Sequence, residues 1–177
     1  MRIGSGRLRG RRVQTPPGSR TRPTSGRLKK ALFDILAPRL AGARVLDLYA
    51  GAGALGLEAL SRGASWATFV ERGRVPAEAI RKNLAALGLA GQGEVLRREV
   101  RPALAFLAER GRGAEERSGY DVVFVDPPYG ADVQESVLRA IATFPLLSLQ
   151  AVVVLEHHHK TPIAETCGEL ERVRRVR

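Results

Sequence analysis

The sequence has a single cysteine, no long apolar run, and no acidic residue among its first 30 positions. Because Cys167 has no second cysteine to pair with, an internal disulfide is excluded and a reducing cytosol is the expected compartment. No apolar run approaches the ~18–20 residues that cross a bilayer. None near the N-terminus resembles the apolar core of a signal peptide. The sequence therefore predicts a cytoplasmic protein with no membrane partner.

The missing acidic residues leave a strongly cationic N-terminal segment. Residues 1–30 contain eight Arg and two Lys, which is +10 of the formal net charge of +11. Arginines that neutralise phosphates release condensed counterions, so this segregation of charge favours a nucleic-acid partner. A solvated tail and an Arg-rich transit peptide are the alternatives, but the glycines and prolines of the segment disfavour the amphipathic helix of a transit peptide. We predict a basic arm over residues 1–25.

The remainder, residues 26–177, is predicted to be one domain, since a chain of 177 residues is of single-domain size. Short apolar runs near residues 45–49, 67–71, 94–97, 120–126 and 149–156 alternate with helical segments. A near-continuous apolar strand followed by a helix, repeated along the chain, is typical of a parallel sheet covered on both faces. The expected fold is a doubly wound, mostly parallel, Rossmann-like α/β sheet.

Acidic residues end the predicted strands repeatedly, at Asp47, Glu71, Asp126 and Glu156. One carboxylate at a strand end has little meaning, because it is also a common helix cap. Several of them at the ends of parallel strands define one edge of the sheet. Ligands bind at the carboxyl edge of such sheets, so this edge is the expected site.

The loop after the first strand carries a glycine pattern typical of cofactor binding. Gly51, Gly53 and Gly56 form a G-x-G-x-x-G between a strand and a helix, and Glu71 follows 20 residues after Gly51. Together they predict a cofactor that contains adenosine, with Glu71 on the ribose hydroxyls. NAD and S-adenosylmethionine both fit this pattern. Asp47 favours the second, because a carboxylate attracts its cationic groups and repels a pyrophosphate.

The end of the fourth strand reads Asp126-Pro127-Pro128-Tyr129. An exocyclic amine is a poor nucleophile because its lone pair is delocalised into the ring. The Asp126 carboxylate and the Pro127 carbonyl are two acceptors for its N–H groups, and Pro128 restrains Pro127 to an extended conformation. Tyr129 offers a face on which a flipped base can stack. An ordinary Pro-Pro turn is the alternative, and the glycine loop and Glu71 count against it.

These residues resemble a known family, the RsmD-type 16S rRNA guanine-N2 methyltransferases of the class I S-adenosylmethionine-dependent group. The likeness covers nearly the whole chain and includes Val123–Tyr129. Its most specific parts are the basic arm, with Arg9-Gly10-Arg11 and Arg22-Pro23-Thr24, and the glycine-loop stretch within LDLYAGAGALGLEALSRG at residues 46–63.

The resemblance implies transfer of one methyl group from S-adenosylmethionine to N2 of a guanine, with S-adenosylhomocysteine as product. Catalysis is then expected from Asp126, Pro127, Pro128 and Tyr129. Cofactor binding is expected from Asp47, Ala50, Gly51, Gly53, Gly56, Glu71 and Glu99. Members of the family usually carry Asp or Asn at the position of Glu99.

The resemblance also implies a partner, 16S rRNA or the small ribosomal subunit particle, bound by a protein expected to be a monomer. The expected RNA contacts are Arg7, Arg9, Arg11, Arg12, Arg20, Arg22, Arg27 and Lys30. No metal is expected, since His157, His158 and His159 follow one another and alternate in direction along an extended segment.

Three other functions fit parts of the pattern. A DNA adenine-N6 methyltransferase would use the same motif, but the chain leaves no obvious room for a target-recognition domain. A non-catalytic RNA-binding factor for ribosome assembly would need neither the glycine loop nor Asp126-Pro127-Pro128-Tyr129. An NAD oxidoreductase would need a substrate domain and a histidine for hydride transfer.

Overall fold

The computed structural model describes residues 1–16, 26–111, 119–127, 131–158 and 161–176. Within these ranges the helices are α1 (Gly26–Leu40), α2 (Ala54–Ser61), α3 (Arg74–Ala86), α4 (Val100–Gly111) and α5 (Ala131–Thr143). The strands are β1 (Arg44–Leu48), β2 (Trp66–Val70), β3 (Gly93–Leu96), β4 (Tyr120–Val125), β5 (Leu147–Leu155), β6 (Thr166–Cys167) and β7 (Leu170–Glu171). A single 3-10 turn, Ala90–Gln92, precedes β3.

Strands β1 to β5 form one sheet in the order β3-β2-β1-β4-β5, and all neighbouring strands are parallel. The chain winds outward from β1 to β3 and then crosses back to place β4 on the other side of β1. This reversal opens a crevice at the carboxyl ends of β1 and β4, where doubly wound sheets bind their ligands. Strands β6 and β7 form a separate antiparallel pair. The predicted doubly wound α/β fold is confirmed.

Side chains alternate between two cores, one on each face of the sheet. Val45 lies in the core that α1, α2 and α3 cover, whereas Leu46 and Leu48 lie in the core under α4 and α5. This alternation follows from the two-residue period of a strand. Because both faces are covered, the strands are apolar on both sides, which explains their near-continuous hydrophobic runs.

Pro38 and Gly42 mark the end of helix α1 in the sequence, and the helix ends between them, at Leu40. A proline near the end of a helix removes one of its last hydrogen bonds. Leu36 and Leu40, one turn apart on the buried face, are almost completely buried, and this burial offsets the loss.

Residues 1–16 fold back as a hairpin against α2 and α3, and we call them the N-terminal hairpin. Arg2 and Arg12 form an antiparallel bridge, and Ile3 and Val13 are buried in the core beneath α1 to α3. Gly6 has a φ of +82°, and a Cβ atom there would lie 2.0 Å from the Ser61 carbonyl oxygen. The division into an arm of residues 1–25 and a domain of residues 26–177 stays a prediction.

Among the described residues, no helix combines the length and the apolar character that a membrane span requires. The same residues contain no group of three or more His, Cys, Asp or Glu side chains placed to hold a metal ion.

Candidate active site

The glycine loop between β1 and α2 packs tightly against β2. Gly51 and Gly53 have φ angles of 55° and 81°, which side chains rarely adopt. At Gly56 a Cβ atom would lie 2.4 Å from the Phe69 ring. Ala50 is buried, and its N–H donates to the Val70 carbonyl at 3.0 Å. The loop backbone is therefore held at the edge of the sheet. Because its glycines have no Cβ atom, a ligand has room to approach the backbone closely.

Asp47 lies beneath this loop and is only 2% exposed. Its Oδ2 accepts a hydrogen bond of 2.8 Å from the Gly56 N–H in the first turn of α2. Burial raises the pKa of the Asp47 carboxyl to about 7, against the lowering effect of that hydrogen bond, and the charges of Asp126 and Glu71 raise it further. Asp47 thus closes the loop on β1 and places an ionisable group directly under it.

Glu71, directly after β2, joins the glycine loop to α3. Its Oε2 accepts from the Gly51 N–H at 2.9 Å, and its Oε1 accepts from the Gly73 N–H at 2.7 Å. Glu71 is predicted from the sequence to bind ribose hydroxyls, and its carboxylate lies against the glycine loop. Its contact with a cofactor stays a prediction.

Glu99, after β3, lies at the same edge of the sheet but faces solvent. Its Oε1 pairs with Arg72 at 3.3 Å, and both side chains are more than 60% exposed. Tyr49, at the end of β1, has a φ of 59°, the one positive value among described residues other than glycine. Such conformations cluster at functional sites, and no sequence signal marks this one.

Asp126 and Glu156 follow neighbouring strands β4 and β5. The Glu156 N–H donates to the Val125 carbonyl at 2.9 Å, which sets the two acidic residues side by side. Asp126 is exposed, but partial removal of its carboxylate from water and the adjacent Glu156 charge raise its pKa to about 6. Pro127 is buried. Pro128 and Tyr129, the other predicted catalytic residues, lie outside the described residues.

The four acidic residues predicted at strand ends meet at one edge, as the strand register requires. Asp47 is paired in register with Phe69 and Phe124, so Glu71 and Asp126 each lie two residues beyond its neighbours. In their ionised forms these carboxylates give the crevice negative charge. Such a field favours a ligand with positive charge.

The predicted RNA contacts fall into two groups. Arg7 and Arg11 bond to the body, to the Gln92 side chain and the Ala86 carbonyl respectively, and Lys30 pairs with Asp34 at 2.8 Å. The second group has exposed side chains that make no hydrogen bond or ion pair with any described residue, and it comprises Arg9, Arg12 and Arg27. Arg20 and Arg22 lie outside the described residues.

Two side chains near the glycine loop are absent from the sequence-based site. Asn83 of α3 is buried and donates to the Ala52 carbonyl at 3.2 Å, and Lys29 of α1 donates to the Ala54 carbonyl at 3.0 Å. Asn83 had a detectable signal, since it interrupts the apolar face of α3 between Ile80 and Leu84. Lys29 had none, because it is one of many basic residues in its segment.

The sheet order, the glycine loop and the acidic carboxyl edge define a protein with the class I methyltransferase fold. The solved structure of the Escherichia coli methyltransferase-fold protein yhhF superposes with a TM-score of 0.76 at 35% identity, covering 93% of this chain and 85% of that chain.

The chain is 38% identical over 156 residues to ribosomal RNA small subunit methyltransferase D of Escherichia coli, covering 88% of this chain and 74% of that protein. It is 34% identical over 175 residues to YlbH of Bacillus subtilis, covering 99% and 92%. A family model described as Conserved hypothetical protein 95 matches residues 1–177. The chain belongs to this family, the RsmD-type methyltransferases.

Proposed function

We propose that this protein transfers a methyl group from S-adenosylmethionine to the exocyclic N2 amine of a guanine in 16S rRNA. The observation that carries the proposal is the adjacency of two predicted sites at one sheet edge. The glycine loop with Glu71 follows β1 and β2, and Asp126-Pro127 follows β4, the strand beside β1. The Escherichia coli relative named for methylation of small-subunit rRNA supports RNA as the substrate class.

The residues present fit S-adenosylmethionine. A Cβ at Gly56 would strike Phe69, so the third glycine allows the close packing of α2 on the sheet that this cofactor-binding motif uses. The Glu71 carboxylate beside Gly51 would hold the ribose hydroxyls, and the Asp47 charge under the loop would attract the cationic end of the cofactor. Ala50, Gly51 and Gly53 would line it, and Glu99 would reach the adenine amine. When bound, the cofactor supplies a methyl group made electrophilic by its sulfonium.

The chain's own catalytic contribution is to hold the amine. The Asp126 carboxylate and the Pro127 carbonyl each accept a hydrogen bond from one N–H group of the amine. These two bonds turn the lone pair of the amine nitrogen toward the methyl group. The N–CH₃ bond forms as the S–CH₃ bond breaks, and one amine proton leaves to water or to Asp126. Tyr129 stacks on the base, and Pro128 restrains Pro127. Most of the rate comes from this near-attack geometry.

The N-terminal arginines supply RNA affinity. The side chains of Arg9, Arg12 and Arg27 are exposed and have no partner among the described residues, so phosphates can reach these guanidinium groups without displacing a protein contact. Arg7, Arg11 and Lys30 would exchange a weak exposed contact for a phosphate, and Arg20 and Arg22 complete the set. Such contacts fix the register of the RNA and leave base choice to the pocket.

The proposal is tested with S-adenosylmethionine that carries a labelled methyl group. It is offered in parallel to unmodified 16S rRNA, small-subunit particles, duplex DNA and protein, and the products are digested to nucleosides. Label in N2-methylguanosine from rRNA or particles is the expected result. Label in N6-methyladenine from DNA would show that the substrate is DNA adenine, and the proposed chemistry of the pocket would stand. RNA binding with no transfer to any acceptor would show a non-catalytic assembly factor instead.

A further inference from the structure

Asn83 joins the N-terminal hairpin to the glycine loop. Its Oδ1 accepts from the Gln14 N–H at 2.8 Å, and its Nδ2 donates to the Gln14 carbonyl at 3.0 Å. The same Nδ2 donates its second hydrogen to the Ala52 carbonyl at 3.2 Å, inside the glycine loop. One buried side chain, 1% exposed, therefore touches both segments.

The hydrogen bonds of Asn83 depend on one another. Both N–H donors of the amide are in use, and its oxygen holds the backbone of the hairpin. Because an amide is planar and its donors and acceptor have fixed directions, Asn83 cannot turn toward one partner without losing another. The position of the Ala52 carbonyl thus depends on the hairpin being docked at Gln14.

A second connection holds the other side of the loop. Lys29 donates to the Ala54 carbonyl at 3.0 Å and pairs with the buried Glu58 carboxylate at 3.2 Å. Glu58 in turn accepts from the N–H groups of Gly4 and Ser5 in the hairpin, at 2.8 and 2.9 Å. The carbonyls on both sides of Gly53 are therefore held by side chains that also hold, directly or through Glu58, the hairpin.

We propose that Asn83 is a positioning residue that couples RNA binding on the N-terminal hairpin to cofactor binding on the glycine loop. The inference rests on the proposed function, since it assigns RNA to the hairpin and S-adenosylmethionine to the loop. RNA that binds Arg9 and Arg12 keeps the hairpin docked, and the docked hairpin holds the glycine loop through Asn83. The loop then loses less conformational entropy when the cofactor binds, so the cofactor binds more tightly. Linkage makes the effect reciprocal, so bound cofactor also tightens RNA binding.

The test compares Gln14→Pro with Gln14→Ala. Proline at position 14 removes the backbone N–H that donates to Asn83 Oδ1. Alanine keeps this N–H and shortens only the Gln14 side chain, which has no hydrogen bond to the described residues. Asn83→Leu removes all three bonds at similar volume. For each variant, the dissociation constant of S-adenosylhomocysteine is measured by calorimetry with and without saturating unmodified 16S rRNA. Melting temperatures confirm that each variant is folded.

For the wild-type protein and Gln14→Ala we expect RNA to tighten S-adenosylhomocysteine binding about fivefold or more. In Gln14→Pro and Asn83→Leu the ratio should fall toward one, and KM for S-adenosylmethionine should rise while kcat at saturation of both substrates changes little. A purely structural role would lower the melting temperature and leave the ratio intact.

Two outcomes separate the two proposals. Equal ratios in wild type, Gln14→Pro and Asn83→Leu would overturn the positioning role, as would a ratio of one in the wild type. Failure of the wild-type protein to methylate any RNA would count against the proposed function alone, because the coupling ratio comes from binding and does not depend on transfer.

Discussion

At the scale of single residues, the carboxylate of Asp126 is the group on which the proposed chemistry depends most. Under the proposed mechanism, replacement by alanine removes an acceptor for the amine and changes no residue of the glycine loop. We expect Asp126→Ala to lower kcat about 100-fold or more with the dissociation constant of S-adenosylhomocysteine within about threefold of wild type. Single-turnover transfer and calorimetry measure the two quantities.

The control for Asp126→Ala is Glu109→Gln, an exposed acidic residue near the end of α4. It changes the net charge by the same amount and should leave transfer and binding unchanged. If Asp126→Ala lost cofactor binding as fully as transfer, the assignment of Asp126 to the amine would be wrong.

If Asp126 acts as proposed, the pH dependence of transfer should respond to the charge of Glu156. Partial desolvation and then the Glu156 charge raise the pKa of Asp126 to about 6. Transfer needs the carboxylate form, so kcat/KM should fall as the pH drops below about 6. Glu156→Gln removes the repelling charge, which stabilises the ionised form of Asp126 and lowers its pKa. The acidic limb should then move down by about half a pH unit.

The pH profile of kcat/KM between pH 5 and 8 checks this expectation. The control is Glu169→Gln, which neutralises an exposed carboxylate in the turn between β6 and β7. A limb that stayed in place, or moved upward, in Glu156→Gln would show that the Glu156 charge does not act on the group that titrates.

At the scale of secondary structure, the described elements follow closely from local patterns, whereas the docking of the hairpin does not. Helix α2 is an example, because the glycine pattern predicts a helix after the loop and the helix runs from Ala54 to Ser61. The hairpin contacts Glu58 and Asn83, which lie more than 50 residues away in sequence. Basic residues signal charge and carry no information about such contacts.

The same reasoning explains which parts of the site were predictable. Strand ends and glycine spacing place Asp47, Glu71 and Asp126 at one edge, since a parallel sheet brings its carboxyl ends together. The contacts of Asn83 and Lys29 require the relative positions of three helices. Only tertiary packing fixes those positions.

Glu58 attaches the hairpin to α2, because its carboxylate accepts from the N–H groups of Gly4 and Ser5. Burial alone would raise its pKa, but the Gly4 N–H, Arg62 and Lys29 outweigh burial and hold the pKa below its usual value. Glu58→Gln leaves two cations facing a neutral group. We expect it to lower the free energy of unfolding by about 2 kcal/mol or more at pH 7, measured by urea denaturation.

The pH dependence of the free energy of unfolding tests whether the Glu58 effect is ionic. A carboxylate with a lowered pKa stabilises the folded state above the unfolded pKa, and this stabilisation is lost as the pH falls through the folded pKa. The difference between wild type and Glu58→Gln should therefore shrink below about pH 4.5. Glu78→Gln, exposed on α3, should show no difference at either pH; a constant difference for Glu58→Gln would contradict the ionic account.

At the scale of the whole molecule, charge is divided between two surfaces. The carboxyl edge of the sheet is acidic, and the N-terminal hairpin, which carries no acidic residue, is basic. An RNA phosphate is repelled by the first and attracted by the second. Under the proposed function, we therefore expect the hairpin to hold the RNA backbone and a neutral base that leaves the stack to enter the crevice beside Asp126.

This division predicts how RNA binding responds to salt. Each phosphate contact on single-stranded RNA contributes about 0.7 to the slope of log K against log salt concentration. Arg9 and Arg12 are free to make such contacts, so the double change Arg9→Gln and Arg12→Gln should reduce the slope by about 1 to 2 and weaken binding at low salt.

The control is Arg139→Gln on α5, where the Arg139 side chain pairs with Glu135. It removes a positive charge from an element outside the hairpin and should leave the slope unchanged. Filter binding of unmodified 16S rRNA over a salt series measures both. An equal loss of slope in the two proteins would mean that RNA responds to net charge alone, and the hairpin would then have no special part in holding it.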